Sequence, residues 1–219
     1  MVKDVGGIEV VVGAVSRASR YVVVIDLETL SISPGAAIGT VGAVLVDVLT
    51  GEILSEFYER AELKGQESRL RDSSTMAFWA EQKHLNRLAW NEVFSDEVSR
   101  RPLPCVLQTF CNWMMAIQET YGEVEVMGNG PEFDNVIMVD ALKWCGLNDP
   151  WHFRFNQSLR TVVWMARLLL KVDPRHVPLV AGEVLHHALH DARREAKGLY
   201  RGVNAFSERL AGGDTVLVA

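Results

Sequence analysis

Cysteine is scarce. Cys105, Cys111 and Cys145 are an odd set with no CxxC pair, which excludes a disulfide framework or a zinc finger and leaves buried, reduced thiols. Long apolar runs are missing too. The stretches 36–46 and 161–170 fall short of the roughly 20 residues that a spanning helix needs. The N-terminus carries Asp4 and two early glycines where a signal peptide would place a basic region and an apolar core. A reducing cytoplasm, with no membrane association, is the expected compartment. Positive charge is in deficit, with 22 Lys and Arg against 28 Asp and Glu and a net charge of −6. Broad electrostatic wrapping of nucleic acid needs the opposite balance. A local basic groove, or a site where metal ions meet a phosphate, remains compatible. Repeats, low-complexity tracts and linkers are also lacking, so 219 residues suggest one core-forming domain. It is expected at 21–212, between an N-terminal extension (1–20) and a C-terminal tail (213–219).

What is present begins with Tyr21-Val22-Val23-Val24-Ile25, an unbroken and mostly β-branched run that ends in Asp26-Leu27-Glu28. Such a run reads as a strand over 21–26 buried on both faces of a sheet, with Asp26 where the strand meets the surface. Side chains alternate along a strand, so Asp26 and Glu28 point the same way. Two adjacent carboxylates repel unless a cation lies between them. A solvated acidic turn accounts for the same residues.

The rest of the chain alternates strands and helices. A short strand is read at 8–12. Pro34-Gly35 turns the chain into a second buried strand at 36–47, whose small residues would let a backbone approach closely. A hairpin-type turn at 49–52 leads to a third strand at 53–58. Ser74 or Thr75 caps a helix running through Phe78 and Trp79, with Glu81 and Gln82 exposed and Leu85, Leu88 and Ala89 at helical spacing. Helices over 105–121, 133–145, 159–170 and 188–210, and a strand at 124–127, complete an α/β pattern. A mixed sheet covered by helices on both faces is the expected architecture.

Two further clusters carry chemistry. Asp134 follows Gly128-Asn129-Gly130-Pro131 at a helix start. There a carboxylate either complements the helix dipole or supplies a third metal ligand at the end of a strand. His186 and Asp191, in His186-His187-Ala188-Leu189-His190-Asp191, are five apart, about 140° around a continuous helix. They converge only if His186 lies in the loop before the helix. A histidine so placed suits general-base work; a zinc or nickel site, or a plain polar helix start, fits the three histidines as well.

Taken in order, Asp-x-Glu, Asp134 behind a Gly-rich turn and His-x4-Asp resemble the DEDDh 3′–5′ exonucleases of the DnaQ-like superfamily. The branch they resemble is that of the exonuclease VIII C-terminal domain and phage exodeoxyribonuclease A, with the related mycobacterial-type exoribonucleases. Trp79 with Gln82, Gly128 to Asn135, Pro150-Trp151 and Arg160-Thr161 extend the likeness over about residues 20–200. The resemblance implies a ribonuclease H-like mixed five-stranded sheet, a three-strand antiparallel meander plus parallel strands. It also implies 3′–5′ exonuclease activity releasing nucleoside monophosphates, preferably from single-stranded DNA, with RNA the alternative and a non-catalytic nucleic-acid-binding module a lesser one. A homodimer is left open.

The resemblance implies two Mg²⁺ or Mn²⁺ ions. Asp26, Glu28 and Asp191 would hold one, Asp26 and Asp134 the other, and His186 would take the proton from the attacking water. Substrate contacts carried over are the backbone at Thr29 and Leu30, the Leu30 side chain as a wedge, Trp79 and Phe133 as stacking surfaces or core residues, and Asn129; Arg160 is a weaker phosphate candidate. Departures are His187 and His190, where the family often has Asn and Asp, and Phe78-Trp79 in place of Trp-Trp.

Overall fold

The structure, a computed structural model, describes residues 2–5, 8–11 and 18–212. Strands β1 (Val2–Val5) and β2 (Ile8–Val11) pair antiparallel as a separate two-stranded sheet. Only the second of them was expected, and Val12 and the 213–219 tail lie outside the described residues.

The main sheet has five strands in the order β5-β4-β3-β6-β7. Its centre is β3 (Tyr21–Thr29), antiparallel to β4 (Ile38–Asp47), which pairs with β5 (Ile53–Arg60). On the other side β6 (Glu125–Gly128) runs parallel to β3, and β7 (Asn156–Ser158) parallel to β6. The helices are α1 (Ser73–Leu85), α2 (Arg87–Phe94), α3 (Leu103–Tyr121), α4 (Asp134–Trp144), α5 (Leu159–Met165) and α6 (Ala188–Ala211). This is the mixed sheet expected, with helices on both faces.

The alternation along β3 decides which face carries the chemistry. Val23, Ile25 and Leu27 pack with Phe110 and Met114 of α3 and with Ile137 and Met138 of α4. Val22 and Val24 pack on the opposite face with Ala192, Ala196 and Leu199 of α6 and with Leu159 of α5. Full burial of such side chains contributes about 1.5–3 kcal/mol each, which fixes the parity of the strand. By that parity Asp26 and Glu28 belong to the α6 face.

Several boundaries differ from those read off the sequence. β3 continues three residues past Asp26, because pairing with β4 runs on through Glu28 and Thr29; Asp26 therefore lies inside the strand. The single helix expected through Leu88 breaks at Asn86, which ends α1 and caps α2. Asp72, rather than Ser74 or Thr75, caps α1, its carboxylate accepting the Thr75 N–H at 2.7 Å. Gln82 is buried. The helix expected over 159–170 turns into a π-helical stretch at Ala166–Leu170. At α3 the helix starts earlier than expected, with Pro102 as the cap and Pro104 in the first turn, where the missing N–H costs nothing.

Candidate active site

Glu28, His186 and Asp191 each present a ligand atom within 4.8 Å of one another, a group of the kind that holds a metal ion. They come from two ends of the chain. β3 supplies Glu28, and the segment entering α6 supplies the other two. His186 stands before the helix in the left-handed region, at φ 59°, which His tolerates better than most residues. That turn directs its own N–H onto Asp191 Oδ2 at 2.7 Å, while Arg194 donates to Oδ1 at 2.8 Å.

What lets this segment reach β3 is Gly42. It pairs directly with Asp26 across the β3–β4 ladder. A Cβ there would lie 2.2 Å from the Ala188 carbonyl carbon and 2.3 Å from the Leu189 nitrogen. The backbone of the first turn of α6 therefore occupies the space that a side chain on β4 would fill.

Asp134 opens α4 and is 2 % exposed. Its Oδ1 accepts the Leu27 N–H at 3.2 Å, so it is tied to the strand between Asp26 and Glu28. Gly128 makes room for it, since a Cβ at that position would lie 2.7 Å from Asp134 Oδ2.

The electrostatics are those of crowded carboxylates. Burial, then the charges of Glu28 and Asp134, holds Asp26 well above the usual carboxylate range. Burial, then Asp191 and Asp134, does the same to Glu28. Burial pushes Asp134 up to about 7, against the pull of backbone N–H groups and of Arg160. Such a set is stable as anions only when a cation sits among them. Carboxylate oxygens are the donors that fit a hard divalent ion, and the His186 imidazole stands beside them.

Two cavities meet at this cluster, and Asp26, His186 and Asp191 line both. One, of about 400 Å³, is walled by Thr29, Ile32, Phe78, Trp79 and Phe133. The other, of about 320 Å³, is walled by Asn129, Leu159, Arg175, Arg194 and Glu195.

The substrate-contact candidates separate accordingly. Phe133 is half-buried and faces the first cavity. Asn129 faces the second instead, and accepts the Arg160 N–H through its carbonyl. Leu30 is 1 % exposed and packs with Ala37, Trp79, Ala89 and Val93, so its side chain cannot serve as the wedge. Ile32, 71 % exposed, is the aliphatic side chain at that rim. Trp79 borders the cavity but is buried, its indole N–H donating to the Thr29 carbonyl at 2.9 Å. It thereby braces the end of β3 rather than offering a free ring face. The exposed guanidinium of Arg160 pairs with Glu132 at 2.8 Å.

Sequence reasoning missed Phe78, whose ring meets that of His186 edge-on at 5.0 Å. It also missed Asn86, whose amide donates to the Leu185 carbonyl at 2.7 Å and so pins the residue before His186. Asn86→Ala is expected to lose a helix cap and that tether together. A cap contributes about 0.5–2 kcal/mol. The melting temperature should fall by about 2–4 °C per kcal/mol, and the single-turnover rate should drop while substrate affinity holds; an unchanged rate would show that the tether does not position His186. His187 and His190 stack on each other at 3.8 Å, and His187 on Tyr58 at 4.5 Å. Burial, then His190, pushes His187 down to about 4. Among the described residues the three histidines do not converge as a metal-binding group.

The fold is similar to that of known nucleases. The nuclease domain of 3′hExo, a DEDDh family member solved with bound rAMP, aligns with a TM-score of 0.57 at 15 % identity, over 85 % of this chain and 92 % of that one. Cell-death related nuclease 4 aligns at 0.60 and 14 %, over 85 % and 64 %. E. coli exonuclease I, in complex with a dT13 oligonucleotide, aligns at 0.57 and 13 %, over 89 % of this chain and 42 % of its own. At such identities the likeness concerns the fold. No curated relative matches in sequence. The family profile of the Rv2179c-like 3′-5′ exoribonuclease domain matches residues 21–201, a span holding the whole of the main sheet and every carboxylate described above. The chain thus belongs to the Rv2179c-like 3′-5′ exoribonuclease domain family and is a 3′–5′ exonuclease.

Proposed function

We propose that the protein removes nucleoside monophosphates from the 3′ end of single-stranded nucleic acid, with Asp26, Glu28, Asp134 and Asp191 holding two Mg²⁺ or Mn²⁺ ions and His186 as general base. The observation that carries this reading is the convergence of Glu28, His186 and Asp191 on the seam between two cavities. Divalent ions held there would supply positive charge to the scissile phosphate and make a nearby water more acidic. The roughly 400 Å³ cavity would take the terminal nucleotide, with Phe78 and Phe133 against its base and the Thr29 backbone along its sugar. Stacking of this kind tolerates any base. His186, held by its backbone bond to Asp191 and by the edge of Phe78, would accept the proton of the attacking water.

RNA is the first substrate to test, because the family description names an exoribonuclease. DNA is the second, on the resemblance of the motif order to the exodeoxyribonuclease branch. The test is degradation of matched 3′- and 5′-labelled RNA and DNA oligonucleotides with Mn²⁺, Mg²⁺ or EDTA. Stepwise loss from the 3′ end that needs metal is the expected result, and the faster of the two sugars assigns the substrate. His186→Ala is expected to slow it on the order of 10²-fold, the lower end of what general-base catalysis contributes. Binding without cleavage of either strand would overturn the proposal.

A further inference from the structure

The second cavity contains a carboxylate that none of the roles above uses. Glu195 lies one helical turn after Asp191 on α6, so the two share a face of that helix. It lines the same cavity as Asp26, Asn129, His186 and Asp191. Its Oε2 is closed to solvent and has no hydrogen-bond partner. The guanidinium beside it, on Arg194, donates to Asp191 instead. A buried carboxylate oxygen left without a partner is costly, and a surface glutamate on a solvated helix face would not be held in this way. The charges of Asp134 and Asp191 bear on Glu195, and that of Glu195 bears on Asp26, so it stands among the same carboxylates.

We propose that Glu195 is a fifth carboxylate of the cation site, one that would help hold a divalent ion there through its water ligands. The inference rests on the proposed two-ion reading and adds a residue to it. Oxygen groups that orient a metal ion's ligands typically govern its affinity by 10–100-fold.

The experiment is Mn²⁺ binding to the full chain without nucleic acid, followed by calorimetry and by loss of the free-ion paramagnetic resonance signal. Glu195→Gln keeps the shape and removes the charge; Glu52→Gln, on the exposed turn after β4, makes the same change in net charge elsewhere. Glu195→Ala provides a second variant should the amide disturb folding, which circular dichroism would register. The expected result is that one of two Mn²⁺ sites weakens about tenfold or more in both Glu195 variants and in neither the wild type nor Glu52→Gln. Wild-type binding in a folded Glu195 variant would overturn this inference and leave the two-ion reading standing. A wild-type chain that binds no Mn²⁺ would overturn both.

Discussion

Asparagine at position 26 is expected to give a protein that cleaves about 10⁴-fold more slowly and yet, in EDTA, melts at a higher temperature than the wild type. The two halves have one cause. Asp26 is crowded by Glu28 and Asp134 and desolvated, so without metal its charge is a liability. Its carboxyl, with those of Glu28 and Asp134, holds a proton more tightly in the folded chain than in the unfolded one, where carboxylates titrate near 4. The folded state then binds more protons than the unfolded state, and stability falls as pH rises. Metal-free wild-type protein should therefore lose stability from about pH 4 up through about 7, the value for Asp134. The gain in stability on adding Mn²⁺ should grow over the same interval. The amide removes one of the repelling charges, and a gain of about 1 kcal/mol would register as roughly 2–4 °C. The rate loss follows from the several kcal/mol of charge stabilisation that a metal site supplies, at about 1.4 kcal/mol per tenfold. Melting curves with EDTA or Mn²⁺ between pH 4 and 9, beside single-turnover rates, check both. An inactive variant that melts lower than the wild type in EDTA would contradict the electrostatic account of the cluster.

Gly42→Ala is expected to cost about 10²-fold in rate or more, although Gly42 contacts no substrate in the proposed reading. The added Cβ would meet backbone atoms of Ala188 and Leu189 at 2.2–2.5 Å, and no rotamer change relieves a clash with backbone. Ordinary carbon contacts lie near 3.5 Å or beyond, so the first turn of α6 would have to retreat by about 1 Å. That turn carries Asp191 and is entered through His186, and a misplacement of about 1 Å at a reacting site can cost 10²-fold. Overpacking at a buried position typically destabilises by about 1–3 kcal/mol, a fall of roughly 2–12 °C for a chain of this size. Rate, melting temperature and Mn²⁺ affinity should all deteriorate together. A variant with wild-type rate and stability would mean that α6 does not rest on β4 in this way.

The parts of the site that were legible in the sequence are those governed by short-range rules. Alternation along a strand put Asp26 and Glu28 on one face, and the β-branched run marked β3. The small residues of β4 announced a close backbone approach, which Gly42 provides. The place of His186 in the loop before a helix follows from the five-residue spacing to Asp191. What was not legible depends on contacts distant in sequence. Leu30 and Ile32 are both aliphatic and both near the motif; only the packing of α1 and α2 buries the first and leaves the second at the cavity rim. Trp79 reads as a stacking surface until its indole is seen to brace the Thr29 carbonyl across 50 residues. The break at Asn86 carries no proline or glycine, because its cause is a side chain that caps α2 and reaches Leu185. Glu195 sits in a charged stretch of α6 that looks solvated until the helix is docked.

Glu28 on the one hand and His186 and Asp191 on the other come from opposite ends of the chain, and the second pair is positioned by the first turn of α6 resting on Gly42. During synthesis the first two carboxylates emerge from the ribosome more than 150 residues before His186 and Asp191 follow. In the proposed reading, a nascent chain is thus surrounded by nucleic acid while it lacks its general base and one of its carboxylates. On that reading the site is complete only once α6 has been made and rests on Gly42, so a chain released before that point is expected to be inactive.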